Sequence, residues 1–219
     1  MEALARWNSV DRGAVLPQEF ISVAEDTGLI VALGRWVLRT ACRQALPWVA
    51  GGGERPTLTV NVSPRELQHP GFLAELDTIL AETSFPAEKL QLDVLPGSQP
   101  ERADRDLSVL AAVKEMGVGV GVDDFGMIGS SLEVLRQFPF DLFKIPVSFM
   151  GGIRGNDRDE GIVKSAIRLG HVLGARVVAK GVERDDQLEF LRYHKCDAVQ
   201  GFLLRAPAPA EKFGSDFFG

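Results

Sequence analysis

Apolar and polar positions follow two rhythms along this chain. Short runs rich in β-branched residues recur at TLTVNVS (57–63), LQLDVLPG (90–97), VGVGVDDFG (118–126), DLFKIP (141–146), ARVVAK (175–180) and AVQGFLL (198–204). Glycine, proline or a polar residue bounds each run, which is the punctuation of a strand. Longer stretches between them carry the helical repeat: Leu33, Trp36, Val37 and Thr40 in one, and Ile162, Ala166, Leu169 and Leu173 in another. Residues 101–116 also have the length of a helix. Gly51 to Gly53, Pro64, Gly117 and Gly174 stand where turns and helix stops are needed. No low-complexity linker interrupts the pattern, and no repeat is visible beyond the β/α alternation itself.

Strands that alternate with helices pair in parallel, with the helices covering the sheet. Six or seven such units in 219 residues fit a (β/α)8-like barrel better than an open doubly wound sheet, which stays as the alternative. The length suits one sizeable core, so residues 1–219 are expected to form a single domain. In a barrel the strand ends converge on one face, where such proteins carry their sites. That geometry makes Asn61, Asp93, Asp123, Asp124, Lys144, Lys180 and Gln200 candidates for one site, although they are scattered in sequence.

Composition narrows the function classes. The chain is 45% hydrophobic and 25% charged, with a net charge of −6. An acidic surface offers no footprint for duplex nucleic acid and repels anionic membranes. No apolar run is long enough to span a bilayer, and the N-terminus shows no signal-peptide pattern. Cys42 and Cys196 lie far apart without metal-ligand spacing, as expected of a protein kept in a reducing cytoplasm. His69, His171 and His194 share no spacing for metal or triad chemistry and read as surface or packing residues.

The acids carry the first chemical signal. Asn61, Asp93 and Asp123 offer hard oxygen ligands that suit Mg²⁺ or Mn²⁺ rather than zinc. Asp124 beside Asp123 would allow two cations, an arrangement that activates water against a phosphodiester. Taken alone, paired aspartates after a strand are more often a turn or a helix cap.

A resemblance changes the balance. The chain opens MEALARW, and Glu2-Ala3-Leu4 with Arg6-Trp7 resembles the signature of the EAL family of cyclic di-GMP phosphodiesterases. The match runs in order through LPQEFISVAEDTGLI (16–30), LGRWVL (33–38), VNVS (60–63), DDFG (123–126), SSL (130–132), KI (144–145), GVE (181–183), Gln187, CDAVQGF (196–202) and Pro207. The resemblance implies a TIM-like barrel with one antiparallel strand. It further implies metal ligands at Glu2, Asn61, Asp93, Asp123 and Asp124, and a water-placing lysine at Lys144. Glu183 of GVE is the other catalytic position carried over. Cyclic di-GMP would be held by Glu2, Leu4, Arg6, Gly28, Leu29, Ile30, Asn61, Asp123, Gln200 and Pro207. Arg6 has the planar, permanently charged head that suits a phosphate. Its bland alternative is a salt bridge to a neighbouring acid.

Several positions depart from the family pattern. KGVE replaces the usual EGVE, so Lys180 stands where a carboxylate serves the metals and the water. Between unit charges ~4 Å apart the interaction is about 4 kcal/mol at an effective dielectric near 20, and a divalent ion roughly doubles it. An attractive ligand is lost and a repulsive charge arrives. Asp93 is one methylene shorter than the usual glutamate, and Pro96 replaces the second acid of LEITE. The usual DFGTGYSSL loop reads DFGMIGSSL, with Met127, Ile128 and Gly129, and Pro146 replaces the aspartate of KID. Lys144 and Glu183 are therefore expected to be vestigial, and Mg²⁺, Mn²⁺ or Ca²⁺ to be held weakly or not at all.

The expected function is that of a degenerate EAL domain, acting as a cyclic di-GMP receptor. The alternatives are a protein-interaction module that binds no nucleotide, and a weak phosphodiesterase yielding pGpG. A protein partner is expected, along with a homodimer. Active relatives carry one strand before EAL, so either the chain is a fragment of a longer GGDEF/EAL or sensor protein, or the barrel lacks that strand.

Overall fold

The computed structural model describes residues 1–50, 56–95, 103–125 and 132–218. Pro96, the Met127–Gly129 segment and Gly51 to Gly53 lie outside the described residues. Nine strands and nine helices are described: β1 Glu2–Ala3, β2 Trp7–Ser9, β3 Gly13–Val15, α1 Pro17–Thr27, α2 Ile30–Val49, β4 Leu58–Val62, α3 Pro64–Leu67, α4 Phe72–Thr83, β5 Leu90–Val94, α5 Ala103–Glu115, β6 Gly119–Val122, α6 Leu132–Gln137, β7 Leu142–Ile145, α7 Asp157–Val172, β8 Arg176–Lys180, α8 Asp185–Tyr193, β9 Ala198–Gln200 and α9 Ala210–Phe218. They fall into two compact units, one of residues 1–93, 108–119 and 208–219, the other of residues 94–107 and 120–207.

Within each unit the strands of the sheet run parallel. In the first unit β1 lies beside β4, in parallel, with Glu2 opposite Thr59 and Ala3 opposite Val60. In the second unit the order is β6-β7-β8-β9, also parallel, with Lys144 opposite Val178 and Lys180 opposite Gln200. The antiparallel pairing is a separate hairpin in which β2 meets β3. Every residue of β5 and β7 is buried, and β4 exposes only Asn61. Burial on both faces explains why these strands read as apolar runs rather than alternating ones.

Local chemistry sets the helix ends in the first unit. Pro17 opens α1, where its missing N–H costs nothing. Gly28 closes it in the left-handed region at φ 77°, which a side chain would resist. Ser63 caps α3 by a reciprocal pair with Glu66, 3.3 Å for Glu66 N–H on Ser63 Oγ and 3.0 Å for Ser63 N–H on Glu66 Oε2. The helix from 30 to 49 appears where the spacing predicts one, but its buried stripe is Ile30, Leu38, Ala41, Cys42, Ala45 and Val49. Trp36 faces outward, 56% exposed. In α7 the buried face is likewise Val163, Ala166, Ile167 and Gly170. A helical repeat marks a helix, but which stripe turns inward depends on what packs against it.

The second unit's core is aromatic at the end of its strands. Phe125 stacks on Phe143 at 4.7 Å with the rings nearly parallel, and Phe140 sits 6.0 Å from Phe143. Phe125 N–H also donates to the Lys144 carbonyl at 2.9 Å. The residues after β6 are thereby tied down by both a ring and a backbone bond.

Candidate functional site

The candidate residues of the first unit sit at the C-terminal ends of its strands. Asn61 is the one exposed residue of β4, and its amide donates to Glu2 Oε1 at 2.7 Å. Asp93, near the end of β5, is 1% exposed and accepts a hydrogen bond from Gln91 Nε2 at 2.9 Å. Gln91 drew no attention in the sequence. The signal available was its i, i+2 spacing from Asp93, which turns both side chains to one face of a strand. Leu4 and Leu29 are exposed, at 41% and 62%. Arg6 is exposed as well, and its guanidinium donates to the Ala5 carbonyl at 2.9 Å. Ile30 is in the core at 5% exposure, so its side chain serves packing.

The second unit assembles a tighter cluster. β6 ends at Val122, and Asp123 and Asp124 follow directly, with Asp123 N–H held by the Val94 carbonyl at 2.9 Å. Asp124 adopts the left-handed conformation at φ 50°, which aspartate tolerates better than most residues. Its N–H donates to Asp123 Oδ1 at 2.8 Å. Lys180, the last residue of β8, places Nζ 2.5 Å from Asp123 Oδ1 and 2.7 Å from Asp124 Oδ1. Lysine, aspartate and the intervening backbone amide thus close a hydrogen-bonded ring.

Electrostatics keep the lysine charged in that ring. Burial works against the ammonium, but the hydrogen bonds and negative charges of Asp123 and Asp124 outweigh it and hold the pKa above the ordinary lysine value. The Lys180 and Asp123 side chains are only 16% and 17% exposed, which weakens screening by solvent.

The strand ends around Lys180 are braced from two sides. Gln200 lies opposite it on β9, and the Gln200 carbonyl accepts Val182 N–H at 3.0 Å. Gly201 follows with no room for a side chain, since an added Cβ would strike the Val182 backbone. Gln187, 3% exposed, accepts from Glu183 N–H at 2.8 Å and Arg184 N–H at 3.1 Å, and donates to the Met150 carbonyl at 2.9 Å. It shapes the turn after β8 rather than touching the acids. Lys144 is buried at 3% exposure, and Pro146, which follows β7, is buried too. Glu183 and Pro207 are exposed.

The three histidines are structural. His171 pairs with Asp197 at 2.8 Å, His69 accepts Gly71 N–H at 3.2 Å, and His194 packs edge-on against Phe190.

The family model for the EAL domain matches residues 1–207. An uncharacterised signalling protein of Caulobacter vibrioides is 40% identical over 96% of this chain and 26% of its own length. The bifunctional diguanylate cyclase/cyclic di-GMP phosphodiesterase MucR of Pseudomonas aeruginosa is 38% identical over 97% of this chain and 31% of its own length. The solved structure of PaMucR phosphodiesterase in its c-di-GMP complex superposes with a TM-score of 0.91 at 38% identity, covering 97% of this chain and 86% of that one. The fold is therefore the TIM-like (β/α)8 type of the EAL domains, and the chain belongs to the EAL family. It spans about a quarter to a third of the length of these curated relatives.

The cation site that the family implies can be tested against these side chains. Lys180 Nζ contacts one carboxylate oxygen of each of Asp123 and Asp124, so a divalent ion between them would meet an ammonium charge at that point. Among the described residues, no group of three or more His, Cys, Asp or Glu side chains is arranged to hold a metal ion. The second unit's donor set, as folded, does not fit one. No described helix is long and apolar enough to cross a membrane.

Proposed function

We propose that this chain is a cyclic di-GMP-binding EAL domain that does not hydrolyse its ligand. One observation carries the loss of hydrolysis: the Lys180 ammonium bridges Asp123 and Asp124 at 2.5 and 2.7 Å. Metal-assisted hydrolysis of a phosphodiester needs a cation there to screen charge and to lower the pKa of the attacking water. An ammonium supplies charge but no coordination sphere, so no water is activated at that point. Mg²⁺ and Mn²⁺ are accordingly not held tightly by Asp123 and Asp124, and Lys144 and Glu183 are vestiges.

Retained binding has separate support. Leu4, Arg6, Gly28, Leu29, Gln200 and Pro207 all keep the family identity, and of these Leu4, Arg6, Gly28, Leu29 and Pro207 are exposed. Arg6 spends its guanidinium on a neighbouring carbonyl rather than on an acid, which leaves its charge for a phosphate. The domain would then work in the cytoplasm, reporting nucleotide to a protein partner or a second copy.

The test pairs calorimetry with product analysis. Titration with cyclic di-GMP, with and without Ca²⁺, is expected to show saturable binding. Incubation with Mg²⁺ or Mn²⁺ is expected to release no pGpG. Linear product above a no-protein blank overturns the loss of hydrolysis, and absence of binding heat overturns the receptor reading.

A further inference from the structure

The ring at the end of β8 does more than obstruct chemistry. Asp123 and Asp124 are adjacent in sequence, partly buried, and held with one carboxylate oxygen each on a common point. Two carboxylates so placed repel, and the cost grows as solvent is excluded. Asp124 also holds a left-handed backbone at φ 50°, with one carboxylate oxygen on the same ammonium as Asp123. A positive charge at the common point therefore offsets that repulsion and favours this form of the turn after β6. In this chain that charge is covalently part of the protein.

We propose that Lys180 is a built-in counter-ion that positions the Asp123–Asp124 turn and makes both its geometry and the domain's stability independent of divalent cations. Ammonium and divalent ion compete here, because the lysine already holds one oxygen of each carboxylate and sets a positive charge beside any cation drawn to the pair. Lys180 is thus a positioning residue acting through the acids. Where the lysine's charge is removed, the pair regains an unmet demand for a cation. This inference shares with the receptor reading only the placement of Lys180 and makes no use of nucleotide binding.

The experiment follows the melting temperature and calorimetric titration of the full chain with Mn²⁺ and Ca²⁺. The wild type and Lys180→Arg, which keeps the charge, are expected to show no saturable cation binding and no thermal shift. Lys180→Met, similar in length but neutral, is expected to melt lower and to recover part of the loss with either cation. Its cation affinity should exceed that of the wild type by at least about tenfold. A variant that merely lost packing would melt lower but stay blind to cations, and that result overturns the proposal. Wild-type binding of Mn²⁺ that Asp124→Asn abolishes also overturns it. If Lys180→Met does not fold, the comparison of wild type with Asp124→Asn decides alone. Failure of cyclic di-GMP to bind would count against the receptor reading and leave this one standing; cation binding by the wild type does the reverse.

Discussion

The two units solve one problem differently. In the first, the Glu2 carboxylate meets a neutral donor, the Asn61 amide, across an exposed hydrogen bond of 2.7 Å. In the second, two carboxylates meet a full positive charge, with Lys180 and Asp123 mostly withdrawn from water. An amide partner adds no charge beside the carboxylate, whereas an ammonium offsets one of the two negative charges it meets. Strand ends of the same residue types can therefore differ in chemical capacity, depending on the charge of one neighbour. Parting the Asn61 amide from Glu2 costs a hydrogen bond worth about 1 kcal/mol net. The second cluster can be opened only by stranding charges.

Gly201→Ala is expected to have the largest effect, because the new Cβ would meet Val182 backbone that has nowhere to move. A loss of about 3 kcal/mol or more in urea unfolding follows from forced overpacking, and the β8–β9 strand ends should lose amide-exchange protection. Lys180→Met comes next. Removing one partner from a largely buried charge cluster strands the others, and about 2 kcal/mol is expected after allowing for the partial exposure of Asp124. Asn61→Ala should cost the fold no more than about 1 kcal/mol, since an exposed hydrogen bond is lost to water. Its larger consequence is weaker cyclic di-GMP binding, by roughly tenfold if a contact of about 1.4 kcal/mol is lost. An Asn61→Ala loss in stability exceeding that of Lys180→Met would break the contrast between the two regions.

The smallest effect concerns pH. Burial tends to raise the Asp197 carboxyl, but the Val177 N–H and the His171 ring outweigh it and hold its pKa below the ordinary value. A depressed carboxylate stabilises the fold above its unfolded pKa, about 3.9, and loses that contribution as pH falls through the folded value. Wild-type stability should therefore decline below about pH 4 more steeply than that of Asp197→Asn, by less than about 1 kcal/mol. Parallel acid titrations followed by circular dichroism would show a convergence of the two curves toward low pH.

Much of this was legible along the chain because it depends on neighbours in sequence. The buried strands announced themselves as β-branched runs, and Gly117 and Gly174 stood where turns were needed, both in the left-handed region. The acids and Lys180 could be named as strand-end residues before any geometry was known. Other features carried no such mark. The β2–β3 hairpin is only three residues a side, too short for an alternation to register. Gln91 and Gln187 looked like ordinary polar residues until their buried partners appeared.

The sequence alone determined the alternation of buried strands with helices, which family the chain resembles, and that a cation stands in the KGVE stretch where the family has an acid. Only the tertiary structure decided where that cation goes. Lys180 and Asp123 are 57 residues apart, and their contact depends on the placement of two non-adjacent strands and on the left-handed turn at Asp124. A long, flexible ammonium could equally have swung to water. Two carboxylates at a common point, that of Asp123 largely withdrawn from solvent, made the inward position the lower in free energy.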